Sequence, residues 1–155
     1  MKIISNIIEA HIFRVVNKKM QFLILRRSNE FSYPFVWQMV TGRNEKGEKA
    51  VRTVIREIKE ETGLTPKKMW VVPNLNFYFD HEQDGIILVP VFAVKVDKNA
   101  DVKISNEHSK FKWVSFTKAK RLFAWSGQKK SIEIIFNYYT RKKNFLKLVE
   151  INSVK

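Results

Sequence analysis

The stretch Thr41–Leu64, TGRNEKGEKAVRTVIREIKEETGL, restricts this chain more than any other part of it. The 155-residue chain carries a formal charge of +14, yet five of its eleven glutamates lie between Glu45 and Glu61. The spacing predicts a helix of about thirteen residues, from near Lys49 to Thr62. Gly63 stands just past its end, where a left-handed residue closes a helix, and Pro66 prevents resumption. At about 100° per residue, and with Glu57 at zero, Val51, Val54, Ile55, Ile58 and Thr62 form an apolar stripe roughly 100° wide. Glu57, Glu60, Glu61 and Thr53 form a separate stripe beside it. Arg52, Arg56 and Lys59 take the remaining face.

An amphipathic surface helix with i,i+4 ion pairs accounts for only part of this pattern. Arg56 and Glu60 are such a pair, worth a few tenths of a kcal/mol. Glu57, Glu60 and Glu61, however, are like charges three and four residues apart. Two of them lie near the helix C-terminus, where the helix dipole disfavours anions. Local stability does not select this arrangement, whereas a divalent cation does. Hard carboxylate oxygens on one face suit Mg²⁺ or Mn²⁺. Gly42 and Gly47 have the spacing of a phosphate-binding loop, but Glu48 follows where that loop needs lysine. Three carboxylates on one helix also do not face one another across a cleft, as glycoside hydrolysis requires.

The rest of the chain supports one globular domain spanning residues 1–155. Apolar residues make up 45%, enough for a full core, and no cysteine is present. Disulfides, thiolate metal sites and cysteine nucleophiles are thereby excluded. The longest apolar run, Gly85–Val94, is too short for a membrane-spanning helix and contains a proline. The N-terminal residues are interrupted by Asn6, Glu9 and His11, unlike a signal peptide. A soluble, cytoplasmic protein is the expectation. The 21 lysines and eight arginines are scattered, apart from Arg141–Lys143. Their charge favours a polyanionic partner, a nucleotide polyphosphate or RNA, without choosing between them.

Apolar alternation predicts strands in Ile3–Val16, Gln21–Ser28, Val36–Gly42, Met69–Phe79, Gly85–Val96 and Lys110–Phe116. Further helices are predicted at Thr117–Phe123 and from Gln128 to Leu148. Strands, helix, strands and helices in this order imply an α/β fold with a mixed sheet between helices.

At the acidic helix the chain resembles the Nudix hydrolases, whose signature is G-x5-E-x7-R-E-U-x-E-E-x-G-U, with U bulky aliphatic. Gly42, Glu48, Arg56, Glu57, Ile58, Glu60, Glu61, Gly63 and Leu64 all stand in register. At average residue usage a chance match has odds on the order of one in a billion per start position. The resemblance implies an α/β/α sandwich and Mg²⁺-dependent attack of water on a phosphorus, with Mn²⁺ as an alternative ion. It implies Glu57, Glu60, Glu61 and the Thr41 backbone carbonyl as metal ligands, with Glu48 and Arg56 in support. Glu107, at the start of EHSKFKW, is the candidate for a further ligand or water-activating base, and Glu82 is its rival. His108 is a candidate neighbour.

WQMVTG, EHSKFKW and AWSGQKKSIE further resemble the bacterial dihydroneopterin triphosphate pyrophosphatase group, often labelled dATP pyrophosphohydrolase. That resemblance implies pyrophosphate release from a small pterin or purine triphosphate. Arg26, Arg27 and Lys129 (or Lys130) are then candidates for the phosphates. Trp37 or Trp125 is a candidate for the ring, and Gln38 for its edge. Arg26 and Arg27 point to opposite faces of a strand. Trp37 and Trp113 also suit a core. Two rival functions are removal of pyrophosphate from RNA 5′ ends and non-catalytic nucleotide binding on the same fold. Intact signature glutamates weigh against the second.

Overall fold

A computed structural model describes residues 1–152. Eight strands form one mixed sheet: β1 (Lys2–Ile4), β2 (Ile7–Val16), β3 (Lys19–Arg27), β4 (Trp37–Gln38), β5 (Val40–Arg43), β6 (Lys68–Asp80), β7 (Gly85–Lys95) and β8 (His108–Val114). The helices are α1 (Ala50–Thr62), α2 (Phe116–Leu122), α3 (Ser126–Arg141) and α4 (Lys143–Leu148). Strands β1 and β2 both run parallel to β7, and the remaining pairings are antiparallel. The expected α/β/α sandwich with a mixed sheet is therefore present.

Side-chain alternation in β2 explains the layering. Ile8, Ala10 and Ile12 point to one face, where they meet Val54 and Ile58 of α1. Phe13, on the opposite face, packs with Ile132 and Ile135 of α3 and with Phe123. Each face of the strand thus supplies a separate core, as a central strand between two helical layers must. Glu9 and His11 share the α3 face with Phe13 and are also buried.

The helix α1 ends as its sequence predicts. Gly63 has φ 70°, and its N–H donates to the Lys59 carbonyl at 2.9 Å. Three expected elements differ. The Ile3–Val16 strand is divided into β1 and β2, with Ser5 and Asn6 between them in neither. The Val36–Gly42 strand is divided: Trp37–Gln38 pairs with β3, and Val40–Arg43 pairs with β2. Apolar alternation reports which face a residue takes but not which strand it joins. The expected helix from Gln128 to Leu148 starts earlier and breaks at Lys142, whose φ of −129° is not helical. Neither glycine nor proline marks this break. It turns α4 back so that Leu146 and Val149 pack on the core, and Val71 N–H donates to the Val149 carbonyl. Among the described residues, no helix is long and apolar enough to cross a membrane.

Candidate active site

The acidic helix is organised around one guanidinium. Arg56 Nε and Nη2 donate to the two oxygens of Glu48 at 3.0 and 2.9 Å. Nη1 donates to Glu57 at 2.8 Å and to Glu60 at 3.2 Å. Nη2 also reaches the Arg43 carbonyl at 2.9 Å. Thr53 Oγ1 donates to Glu48 at 2.9 Å. The loop between β5 and α1 is thereby tied to the carboxylate stripe. The hydrogen bonds from Arg56, then from the Glu45 backbone, hold the Glu48 carboxyl down to about 2. Glu48 and Arg56 therefore stay charged, and together they fix the positions of Glu57 and Glu60.

Gly42 gives Glu57 its place. A Cβ on residue 42 would fall 2.1 Å from Glu57 Cγ and 2.2 Å from its carboxyl carbon. No side chain larger than hydrogen leaves room for that carboxylate on the strand. Gly42 has no positive φ, so close approach and not backbone freedom requires glycine here. Burial raises the Glu57 carboxyl above its usual range, against the opposing pull of Arg56.

Glu61 is buried more deeply than its helical angle implies, at 3% exposure. The segment before β8 covers it. Ser105 N–H donates to the Glu61 carbonyl at 3.1 Å, and His108 Nε2 lies 2.7 Å from Glu61 Oε2. Ligand atoms of Glu61, Glu107 and His108 all lie within 4.8 Å of one another. Glu107, 46 residues beyond Glu61 in sequence, is therefore brought to the acidic helix. Burial, followed by the charges of Glu107 and Glu57, pushes the Glu61 carboxyl up to about 9 in the metal-free protein. Burial likewise lowers His108 to about 4, so its imidazole is neutral. Two carboxyls and an imidazole thus converge within 4.8 Å of one another. Their oxygen-rich donor set suits a hard divalent ion. Glu82 occupies the β6–β7 turn and is exposed.

The proposed substrate-side residues divide into two groups. Arg27 is the better placed of the two arginines: it donates to the Ser32 carbonyl at 2.9 Å, and its charge is felt at Glu61 and His108. Arg26 instead lies over Phe35, 4.8 Å from the ring centroid. Trp37 is half-buried against the α3-side core, under Lys112 at 5.1 Å. Trp125 is half-exposed and meets the exposed Tyr33 edge-on at 5.6 Å. Lys129 begins the second turn of α3, its N–H bonded to the Trp125 carbonyl. The Gln38 amide nitrogen is buried and has no partner.

Sequence reading did not single out a buried polar chain on the α3 face. Glu9 accepts from Asn76 at 2.6 Å and lies 2.5 Å from His11 Nε2. Asn74 and Asn76 both donate to Ser131 Oγ. Glu9 pairs directly with Thr41 across β2 and β5, so this chain adjoins the signature loop. Polar residues on the buried face of an otherwise apolar strand were the available signal.

The Nudix signature lies inside this geometry, and residues 6–134 match the NUDIX domain family. The chain belongs to that family and is a Nudix hydrolase. It is 28% identical over 120 residues to the asymmetrical bis(5′-nucleosyl)-tetraphosphatase of Sus scrofa, covering 75% of this chain and 78% of that protein. It is 24% identical over 122 residues to the RNA pyrophosphohydrolase of Campylobacter jejuni subsp. doylei, covering 72% and 77% respectively. An octanoyltransferase of Myxococcus xanthus shares 34% identity over 104 residues, 63% of this chain but only 28% of that protein. Among solved structures, a C. elegans Ap4A hydrolase binary complex aligns with TM-score 0.75 at 23% identity, covering 88% of this chain and 98% of that one. The E. coli dihydroneopterin triphosphate pyrophosphohydrolase aligns at TM-score 0.64 and 20% identity, covering 81% and 92%. At these identities the structures establish the fold.

Two outcomes are expected. Gly42→Ala should lower turnover by about a hundredfold through displacement of Glu57, with the thermal midpoint unchanged or slightly raised. Wild-type turnover in this variant would contradict the close-approach argument. The second outcome concerns protons. Glu61 has a folded value near 9 and an ordinary value of 4.5, so its contribution to metal-free stability is complete below 4.5 and is lost as pH rises towards 9. A cation that binds at Glu61 would have to displace this proton. Calorimetric Mn²⁺ titrations in buffers of differing ionisation enthalpy should show proton release at pH 7 and affinity rising towards pH 9. Binding independent of pH would contradict it.

Proposed function

We propose that the chain cleaves a phosphoanhydride bond in a nucleotide-type polyphosphate, using a divalent cation at the acidic helix. The observation that carries this reading is the meeting of Glu61 with Glu107 and His108 beside a complete signature helix. Glu57, Glu60, Glu61, Glu107 and the Thr41 carbonyl would hold Mg²⁺, or Mn²⁺ in its place. The ion would neutralise clustered phosphate charge and stabilise the leaving oxygen.

The protein groups have separable parts. Arg56 orients Glu57 and Glu60, and Glu48 fixes Arg56. His108 holds Glu61. Glu107, half-buried at the edge of the group, accepts the proton of the attacking water. Arg27 faces the same cluster and neutralises substrate phosphate. The ring of the substrate rests against Trp125 and Tyr33, with Gln38 and Lys129 nearby. Arg26 and Trp37 contribute to the walls of the site.

Asymmetrical cleavage of dinucleoside tetraphosphates is the leading substrate reading, because a relative named for that activity matches three quarters of the chain. The second reading is pyrophosphate release from dihydroneopterin triphosphate or dATP, with Mg²⁺. WQMVTG, EHSKFKW and AWSGQKKSIE favour it, and an enzyme named for the pterin reaction shares the fold. RNA 5′ ends form a third substrate class, suggested by the +14 charge and by a relative named for that activity.

A panel of diadenosine tetraphosphate, dihydroneopterin triphosphate, dATP and 5′-triphosphorylated RNA, assayed with Mg²⁺, separates the three. Diadenosine tetraphosphate should give the highest kcat/KM, with ATP and AMP as products. Preference for the pterin would overturn the leading substrate and leave the reaction class standing. RNA turnover that exceeds the others and falls steeply with salt would select the third. Glu61→Gln should lower kcat at least about a hundredfold on every substrate. Unchanged turnover at saturating Mg²⁺ would contradict the catalytic reading itself.

A further inference from the structure

A cavity of about 230 Å³ opens on the α3 side of the sheet, walled by Trp70 of β6 and Tyr139 of α3. Strand register fixes its place. Ile8 of β2 pairs with Gly42 of the signature, whereas Phe13 pairs with Lys95 on the cavity wall. At about 3.3 Å per residue these points lie roughly 17 Å apart along the strand. Helix α1 packs on the opposite face. The cavity is therefore separate from the acidic helix.

Four lysines converge on it: Lys68 of β6, Lys95 of β7, and Lys143 and Lys147 of α4. Glu150 is the one acid in the lining, and it pairs with Lys68 at 3.5 Å. Among the described residues, Lys95, Lys143 and Lys147 have no carboxylate partner. Lys95 Nζ instead donates to the Tyr139 hydroxyl at 3.0 Å. Lys95 and Lys143 lie over the Tyr139 ring, 5.5 and 5.4 Å from its centroid, and this contact holds their charge at the cavity. Local stability does not select the arrangement, because Lys143 and Lys147 are like charges at i and i+4. The break at Lys142, which neither glycine nor proline marks, brings these two lysines round to Lys68 and Lys95.

We propose that this cavity binds a condensed phosphate, a chain of two or three phosphoryl groups that is free or carried by a nucleotide, with no divalent cation needed. Unneutralised ammonium groups select an anion, and their convergence selects a compact one. Cations that follow a nucleic-acid strand form a track along a groove, whereas these four surround one hollow. The volume lies below the roughly 300–1,000 Å³ of pockets that enclose a drug-sized ligand, so a phosphate chain enters while a nucleoside stays outside. Neither ring offers a base a face to stack on. Trp70 is 4% exposed, and Tyr139 is crowded by Phe13 at 4.9 Å and by the two ammonium groups. The site does not rest on the proposed reaction, since it shares no residue with the acidic helix or with Glu107 and His108.

Tripolyphosphate titrated into the full chain, with EDTA present and ionic strength held constant, tests this by amide NMR. Resonances of Lys68–Val71, Val94–Val96 and Lys143–Lys147 should shift and saturate below about 1 mM. Lys143→Gln and Lys147→Gln, both at exposed positions, should each weaken that binding about tenfold and leave turnover within about twofold of wild type. ATP should bind this site within about threefold of tripolyphosphate. Shifts confined to Thr41–Gly42 and Ser105–His108, equal shifts with sulfate, or binding undiminished in both variants would overturn the proposal. So would ATP binding more than about tenfold tighter than tripolyphosphate, which would mean that the base is recognised. A single-stranded oligonucleotide that shifts the same resonances at lower concentration would overturn it in favour of nucleic acid.

Discussion

The bidentate pair between Arg56 and Glu48 is the interaction on which the acidic site depends. Three carboxylates on adjacent turns of one helix repel one another, and the helix alone gives them no common geometry. Arg56 supplies it by binding Glu57 and Glu60 through one nitrogen while Glu48 holds the other side of the guanidinium. The bond to the Arg43 carbonyl extends the clamp to the strand leading into the loop. Exposed ion pairs contribute little to stability. This network acts chiefly through position, since a misplacement of about 1 Å is costly in a site of this kind.

Glu61 depends on different support. It is not bonded to Arg56 but is enclosed by the chain preceding β8, with His108 as its neighbour. The site therefore joins a locally organised half, readable from residues 42–63, to a half delivered from 46 residues away. The balance between them sets the chemistry. The Arg56 hydrogen bonds hold the Glu48 carboxyl low, whereas burial pushes that of Glu61 up.

Much of this was legible in the sequence, for physical reasons. Helix α1 is bounded by local signals, the apolar stripe and the left-handed Gly63, so its ends and its carboxylate face follow from spacing. The resemblance implies Glu48 and Arg56 in support, and in the structure Arg56 donates to Glu48, Glu57 and Glu60. The burial of Glu61 was not legible, because it is imposed by a distant segment. The division of Val36–Arg43 between two partner strands was hidden for the same reason, and the break at Lys142 lacks a local stop signal. The Glu9–His11–Asn76 chain was overlooked because tertiary packing alone shows which face of β2 and β6 is enclosed. Gly42 was identified by its place in the signature, while the physical need for it emerges from the contact with Glu57.

The proposed function requires a divalent cation between the α1 carboxylates and the segment before β8. Paramagnetic broadening of backbone amide resonances by substoichiometric Mn²⁺ tests it most directly. Selective loss of signal is expected at Thr41–Gly42, Glu57–Gly63 and Ser105–His108, with the β6–β7 hairpin tip spared. Broadening centred on the hairpin acids Asp80, Glu82 and Asp84, or loss of signal with no focus on α1, would contradict it.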